Sequence, residues 1–429
     1  MPRSRGPFLG VLDRDGGGRG PFAIAIICAT VVAGLNAGGF VPGGPHGAGI
    51  GTGAYLPGRP HPATVTPGSS GATPQVILNV SVGTVPMAMA YDSGKGEVFV
   101  ANDFTDNVSV ISDFNNTVVA TVAVGSAPQA VVYDSGKGEV FVANEGWTNV
   151  SVISDSNNTV VATVPVGNSP VAAAYDGGTG EVFVANGMSN NVSVICDGST
   201  SCGGPSDQNK VVATVAVGSL WFGGVAYDSG KGEVFVVNDA SDNVSVICDG
   251  SASCGGPHAQ NKVVATVAVG SSPCGVAYDN GTGEVFVGNG GLDNVSVISD
   301  ATDKVVATVT VGYGPAAVAY DRGTGEVFVA IYGPDNVSVI SDSNNTVVAM
   351  VPVGSGPDAL AYDRGTGEVF VANENSGTVS IIAFPSGTSS SSSSSGLPIL
   401  DYAIVGVVVV VAAVTAAAVL LRGRGKAPP

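Results

Sequence analysis

The stretch Tyr133-Asp134-Ser135-Gly136-Lys137-Gly138-Glu139-Val140-Phe141-Val142-Ala143-Asn144 reads as the end of one strand, a tight turn and a second strand. The same phrase, Tyr-Asp followed by Gly-x-Gly-Glu-Val-Phe-Val, occurs seven times. Its aspartates are Asp92, Asp134, Asp176, Asp228, Asp279, Asp321 and Asp363, at intervals of 42, 42, 52, 51, 42 and 42 residues. A fixed period in the 40s built from short strands is the sequence signature of a β-propeller with one repeat per blade.

Each repeat holds four strand signals. In the second copy these are strand a at 129–133, strand b at 139–143, strand c at 150–154 and strand d at 159–166. Strand b is apolar throughout, as a strand covered on both faces is. Strand d is β-branched at most positions. The turns between them carry Asp, Asn, Gly and Ser, which accept left-handed backbone or bond their own main chain. One such sheet is too small to bury both faces, whereas seven stacked around an axis bury them all. The last repeat stops after strand c, and residues 75–83 (Gln-Val-Ile-Leu-Asn-Val-Ser-Val-Gly) match strand d. The N-terminal strand is therefore expected to pair with strand c near 378–383 and close the ring without an open edge.

The flanks carry membrane signals. Residues 22–35 are apolar and follow Arg3, Arg5, Arg14 and Arg19, which reads as a secretory signal or an N-terminal anchor over 1–37. Residues 38–74 are rich in Gly and Pro, and 386–398 are a Ser-rich linker. The apolar run 402–421 predicts a C-terminal transmembrane helix over 399–421. The basic tail 422–429 would stay in the cytoplasm, leaving the propeller (75–385) extracellular on a single-pass membrane protein.

The pattern Pro-x-x-x-x-Tyr-Asp, Val-Phe-Val-Ala-Asn, Asn-Val-Ser-Val-Ile and Val-Val-Ala-Thr-Val-x-Val-Gly-x-x-Pro resembles the YVTN-type propeller repeat. That repeat is found in archaeal surface-layer proteins and in bacterial periplasmic propellers of the YncE type. The resemblance spans residues 75–385 in all seven copies, with Phe-Val-Ala-Asn in place of Tyr-Val-Thr-Asn, and there is no Trp-Asp dipeptide. It implies an extracytoplasmic seven-bladed propeller and no single shared activity.

The net charge is −18, and the repeat region alone holds 31 acidic and 8 basic residues. So acidic a domain repels phosphate backbones, and no nucleic-acid partner is expected. Most of the acids recur at turn positions and read as solvated turn residues, or alternatively as a surface that attracts divalent cations.

The third and fourth repeats carry insertions between strands c and d. Each insertion contains Cys-Asp-Gly-Ser-x-Ser-Cys-Gly-Gly-Pro. Cys196 with Cys202 and Cys248 with Cys254 read as local disulfides of an exported domain. A four-Cys metal site across both insertions is the alternative. Cys274, on strand a of the fifth repeat, reads as a small buried hydrophobe. Eleven Asn-x-Ser/Thr sequons are candidate glycan acceptors: Asn79, Asn107, Asn115, Asn149, Asn157, Asn191, Asn243, Asn280, Asn294, Asn336 and Asn344. Six of them are the same Asn-Val-Ser copied with the repeat, where Asn also serves the turn.

Catalytic constellations are scarce. The chain has three His, two of them before the repeats and His258 in an insertion. The residues expected at the central channel are Met87, Gln129, Val171, Gly223, Cys274, Ala316 and Asp358, of which only Gln129 and Asp358 are polar. That lining is poor for acid–base or metal chemistry, so no catalytic residue, cofactor or metal is assigned.

The copies differ most in the b–c loops and d–a connectors, which share one face in a four-strand meander. These loops hold Phe104, Trp147, Met188, Trp221, Phe222, Leu292, Tyr313 and Tyr332. Aromatics gathered on one rim read as a binding patch for a glycan or protein ligand, or as residues each packed on its own neighbouring loop. The expectation is an all-β, seven-bladed propeller that works as a cell-surface binding or adhesion module. A structural, surface-layer-like envelope component is the second reading, and a lactonase- or quinoprotein-type enzyme the third.

Overall fold

Strand b shows why the chain folds as it does. Its Glu-Val-Phe-Val-Ala-Asn sequence puts Phe99, Phe141, Phe183, Phe235, Phe286, Phe328 and Phe370 at equivalent places in seven blades, all fully buried. The computed structural model, which describes residues 74–384, forms seven four-stranded antiparallel sheets. Blade 2 is typical, with strands Pro128–Asp134, Glu139–Asn144, Asn149–Ser154 and Thr159–Pro165. Phe99 shares an apolar cluster with Val131, Tyr133, Val140 and Val142 of blade 2, so the phenylalanine of one blade packs on the facing side of the next. Burying one such ring contributes about 1.5–3 kcal/mol. Strand a is innermost and Ala-rich because the blades converge there.

The ring closes as expected. Gln75–Ser81 pairs antiparallel with Thr378–Ala383, so the N-terminal strand is strand d of blade 7. Each strand d is the outer edge of its blade, and its residues are largely exposed. Strand a of blade 4 is shorter than the rest, Val225–Asp228. Before it, Gly223 lets the connector pass close over strand b: a Cβ there would lie 1.8 Å from the carbonyl oxygen of Val237.

One expectation about the fold is corrected. The transmembrane helix at 399–421 is no part of it: every helical element described is a three-residue 3-10 turn, and none is long and apolar enough to cross a membrane. Residues 399–421 themselves lie outside the described residues, as do the signal or anchor over 1–37, the Gly/Pro-rich segment up to 73, the Ser-rich linker and the basic tail.

A second correction concerns the repeated acids. All seven Tyr-Asp aspartates are buried rather than solvated. One oxygen of each accepts two turn amides, as Asp134 does from Gly136 at 2.8 Å and Lys137 at 3.1 Å. In four copies the other oxygen accepts the turn's threonine hydroxyl, as Asp279 does from Thr282 at 2.6 Å, and the carboxylates lie at the blade junctions. There Tyr175 donates its hydroxyl to Asp197 at 3.3 Å and also lies beside Asp134 of the preceding blade. This phenol–carboxylate contact repeats around the ring, for example from Tyr91 to Asp113 and from Tyr227 to Asp249, each at 3.1 Å. Burial pushes Asp134 up to about 6, and burial pushes Glu139 beside it to about 7, helped by the charge of Asp134.

Candidate functional site: the b–c face and channel mouth

The b–c connections are short turns with fixed geometry. In blades 1, 2, 3 and 7 they are single 3-10 turns, Asp103–Thr105, Glu145–Trp147, Gly187–Ser189 and Glu374–Ser376. Each ends on a left-handed residue, Asp106, Thr148, Asn190 or Gly377, a conformation suited to Asn, Asp and Gly. The first amide of each turn bonds the d–a connector of the same blade. Asp103 N reaches Val85 O at 2.8 Å, Glu145 N reaches Ala127 O at 2.9 Å and Glu374 N reaches Gly356 O at 2.7 Å. These bonds place both loop sets on one face.

The turns point large side chains outward from a rigid base. Phe104 is 74% exposed, Trp147 61%, Met188 79% and Trp221 65%, and Leu292 and Tyr313 are also exposed. Trp221 stands on an anchored loop: Asp239 accepts its amide at 2.6 Å and that of Phe222 at 3.3 Å. Leu220 is fully buried and its amide donates to Asn190 Oδ1 at 3.0 Å. Phe222 and Tyr332 are half-buried. Phe222 packs against the apolar core, and the hydroxyl of Tyr332 accepts from Asn375 Nδ2 at 3.1 Å. Phe114 is exposed on a c–d turn of the opposite face.

At the axis, all seven channel residues named from the sequence are buried. In six blades the a–b ladder has a β-bulge at this point, as between Pro128 and Ala130 and between Pro357 and Ala359. A bulge leaves one residue out of the ladder and re-aims its side chain. Gln129 is such a residue, and its Nε2 donates to Asp103 of the preceding blade at 3.1 Å. Asp358 is its counterpart in blade 7. It is 0% exposed, and neither carboxylate oxygen has a hydrogen-bond partner. Burial, with Glu374 nearby, holds its carboxyl well above the usual carboxylate range. Asp103 is pushed up to about 6 by burial, against the bond from Gln129 and with help from Glu145, Asp106 and Glu374. Ser169 donates to Glu145 at 2.9 Å.

Asp103, Glu145 and Glu374 thus join Asp358 and Gln129 at the mouth, a grouping that counting strand-a residues alone does not reveal. The signal lies in the residue that follows strand b, which is Asp103, Glu145, Gly187, Asp239, Gly290, Tyr332 and Glu374 in the seven copies. Three of its four acids fall in blades 7, 1 and 2, and ring closure brings that of blade 7 beside the other two.

On the opposite face the insertions are closed by the disulfides Cys196–Cys202 and Cys248–Cys254. Their sulfurs are bonded to each other, which removes the four-Cys metal alternative. Cys274 is buried and is not a free thiol. The sequons divide by position. In the Asn-Val-Ser copies the asparagine bridges the blade: Asn102 donates to Asn107 Oδ1 at 2.8 Å, and Asn144 to Asn149 at 2.8 Å. Asn115, Asn157 and Asn344 are exposed on c–d turns. Each accepts from the threonine of its own sequon, at 2.7, 2.7 and 2.6 Å. Asn79 is exposed on the closing strand and accepts from Ser380 at 2.7 Å, while Asn280 is half-buried.

No protein-family model matches the chain. No curated protein matches it by sequence. Among solved structures, a chain of Kuenenia stuttgartiensis hydrazine synthase superposes with a TM-score of 0.59 at 19% identity, covering 70% of this chain and 96% of that one. At that identity the likeness concerns the fold alone.

Proposed function

We propose that this protein is an exported propeller of the YVTN type that binds a glycan or protein ligand at a cell surface through its b–c/d–a face. The observation that carries the reading is the set of exposed side chains Phe104, Trp147, Met188 and Trp221 on backbone-anchored turns of that one face. The aromatic three of these, held ready on a fixed base, lose little entropy on binding and serve as anchors. Two closed disulfides fit an oxidising compartment. The test compares the full-length protein with a Trp147→Ala/Trp221→Ala variant for binding to glycan arrays and to isolated cell envelopes. Binding that disappears in the variant while the melting temperature holds supports the face. Equal binding by both proteins removes it.

A second reading rests on the outer rim. Strand d exposes valines in successive blades, among them Val118, Val119, Val160, Val161, Val305 and Val306, on an unpaired edge. Such edges favour lateral contacts, as a structural envelope coat would use. Ordered arrays of rings touching through strand d would favour it.

A further inference from the structure

We propose that the channel mouth on the b–c face is a receptor for an alkylammonium group, the charge shared by a lysine side chain and a free polyamine. The inference rests on the binding-face reading and names the chemistry that face selects.

Three observations carry it. The first is an asymmetry of charge. All eight lysines and arginines of the repeat region (Lys95, Lys137, Lys210, Lys231, Lys262, Lys304, Arg322 and Arg364) lie at a–b turns or at the first residue of strand d, on the opposite face. The b–c/d–a face has nine acids and no base among the described residues. Four of those acids have structural work: Asp106, Asp242 and Asp335 accept connector amides, and Asp239 holds the Trp221 loop. Of the other five, Asp293 sits in the b–c loop of blade 5, and Asp358, Glu374, Asp103 and Glu145 lie around the mouth, unneutralised by any lysine or arginine among the described residues.

The second observation is Asp358 itself. A fully buried carboxyl with both oxygens unpartnered is costly to keep. Its bulge position directs it as Gln129 is directed, towards the first residue of the preceding b–c turn. It therefore faces the turn residues Tyr332 and Glu374, both within electrostatic reach of one another. An ammonium donor supplies the missing hydrogen bonds and the counter-charge together.

The third observation selects the class of cation. Among the described residues, the carboxylates at this mouth do not gather three ligand oxygens within 4.8 Å of one another, so no compact oxygen cage for a bare divalent ion is formed. The neighbouring lining is apolar, with Met87 and Ala316 fully buried, and Phe104 and Trp147 stand on the rim. That setting suits an alkyl stem carrying one positive head.

The test is titration calorimetry of the full-length protein with cadaverine, with a lysine-rich peptide, with the same peptide acetylated on its lysines, and with calcium chloride. Asp358→Asn keeps the shape and removes the carboxyl that would give the ammonium its counter-charge, so it is expected to fold about as stably as the parent. The expected result is amine binding that weakens at least tenfold in Asp358→Asn and Glu374→Gln and vanishes for the acetylated peptide. Tighter binding of cadaverine identifies a free polyamine as the source, and tighter binding of the peptide identifies a partner's lysine. Absence of amine binding, equal binding by Asp358→Asn, or calcium binding that displaces the amine overturns the proposal. Envelope binding lost in Trp147→Ala/Trp221→Ala but kept in Asp358→Asn leaves the binding face standing and removes the ammonium site alone.

Discussion

At the scale of single residues, the repeat is held by positions whose role is set by what lies behind them. Gly138 has φ +67°, and a Cβ there would sit 2.7 Å from an oxygen of Asp155. Gly138→Ala therefore meets both a left-handed backbone and a carboxylate that must shift away from the hydroxyl of Tyr133 to make room. It is expected to cost about 1–3 kcal/mol, read as a lower denaturation midpoint at unchanged m-value. The glycine was legible as a turn residue from Gly-x-Gly-Glu. The carboxylate against it was not, because Asp155 lies in a different strand connection and arrives only when the blade folds.

At the scale of elements, strand pairing carries the testable consequences. Removing residues 75–81 would leave strand c of blade 7 with an open edge and the first and last blades unlatched. A chain lacking that strand is expected to lose cooperative unfolding and to aggregate; a sharp two-state transition at the parental midpoint would show that closure is dispensable. The insertions make a milder prediction. Each disulfide closes a short loop with a sequence separation of 6 residues, so converting Cys196 and Cys202 together to Ser should cost about 2 kcal/mol. The ring should survive, because Cys202 lies in the insertion and Cys196 is only the last residue of strand c, whose backbone pairing the change leaves in place. The transmembrane helix read from residues 399–421 is the element that the described fold does not contain. Hydropathy and length speak only for a segment, whereas the repeats constrain one another sevenfold.

At the scale of the whole molecule, the buried acids add up. Asp113 and Asp134 are raised to about 6, and Glu139, Glu181, Glu233 and Glu326 to about 7, in each case chiefly by burial. Their folded pKa values exceed the ordinary unfolded ones near 4. In that window the native state binds more protons than the unfolded chain, so stability falls as pH rises. The contribution is complete below about pH 4 and is lost as pH climbs through 6 to 7. The melting temperature is expected to be higher at pH 5 than at pH 7.5. An equal or lower value at pH 5 would refute this account of the blade junctions.

The blade count, the four strands per blade, the N-terminal closure and the loops that carry the odd aromatics were legible in the chain alone, while the cysteines read as local disulfides with a metal site as the alternative. Each follows from periodicity or short spacing, which a linear chain displays directly. Tertiary structure alone decided that the Tyr-Asp carboxylates are buried between blades. It also decided that Asp358 lies unpartnered at the axis, and that Glu374 of the last blade joins Asp103 and Glu145 of the first two. Those relations depend on which residues meet across blade junctions and across the closure of the ring, and distance along the chain carries no record of them.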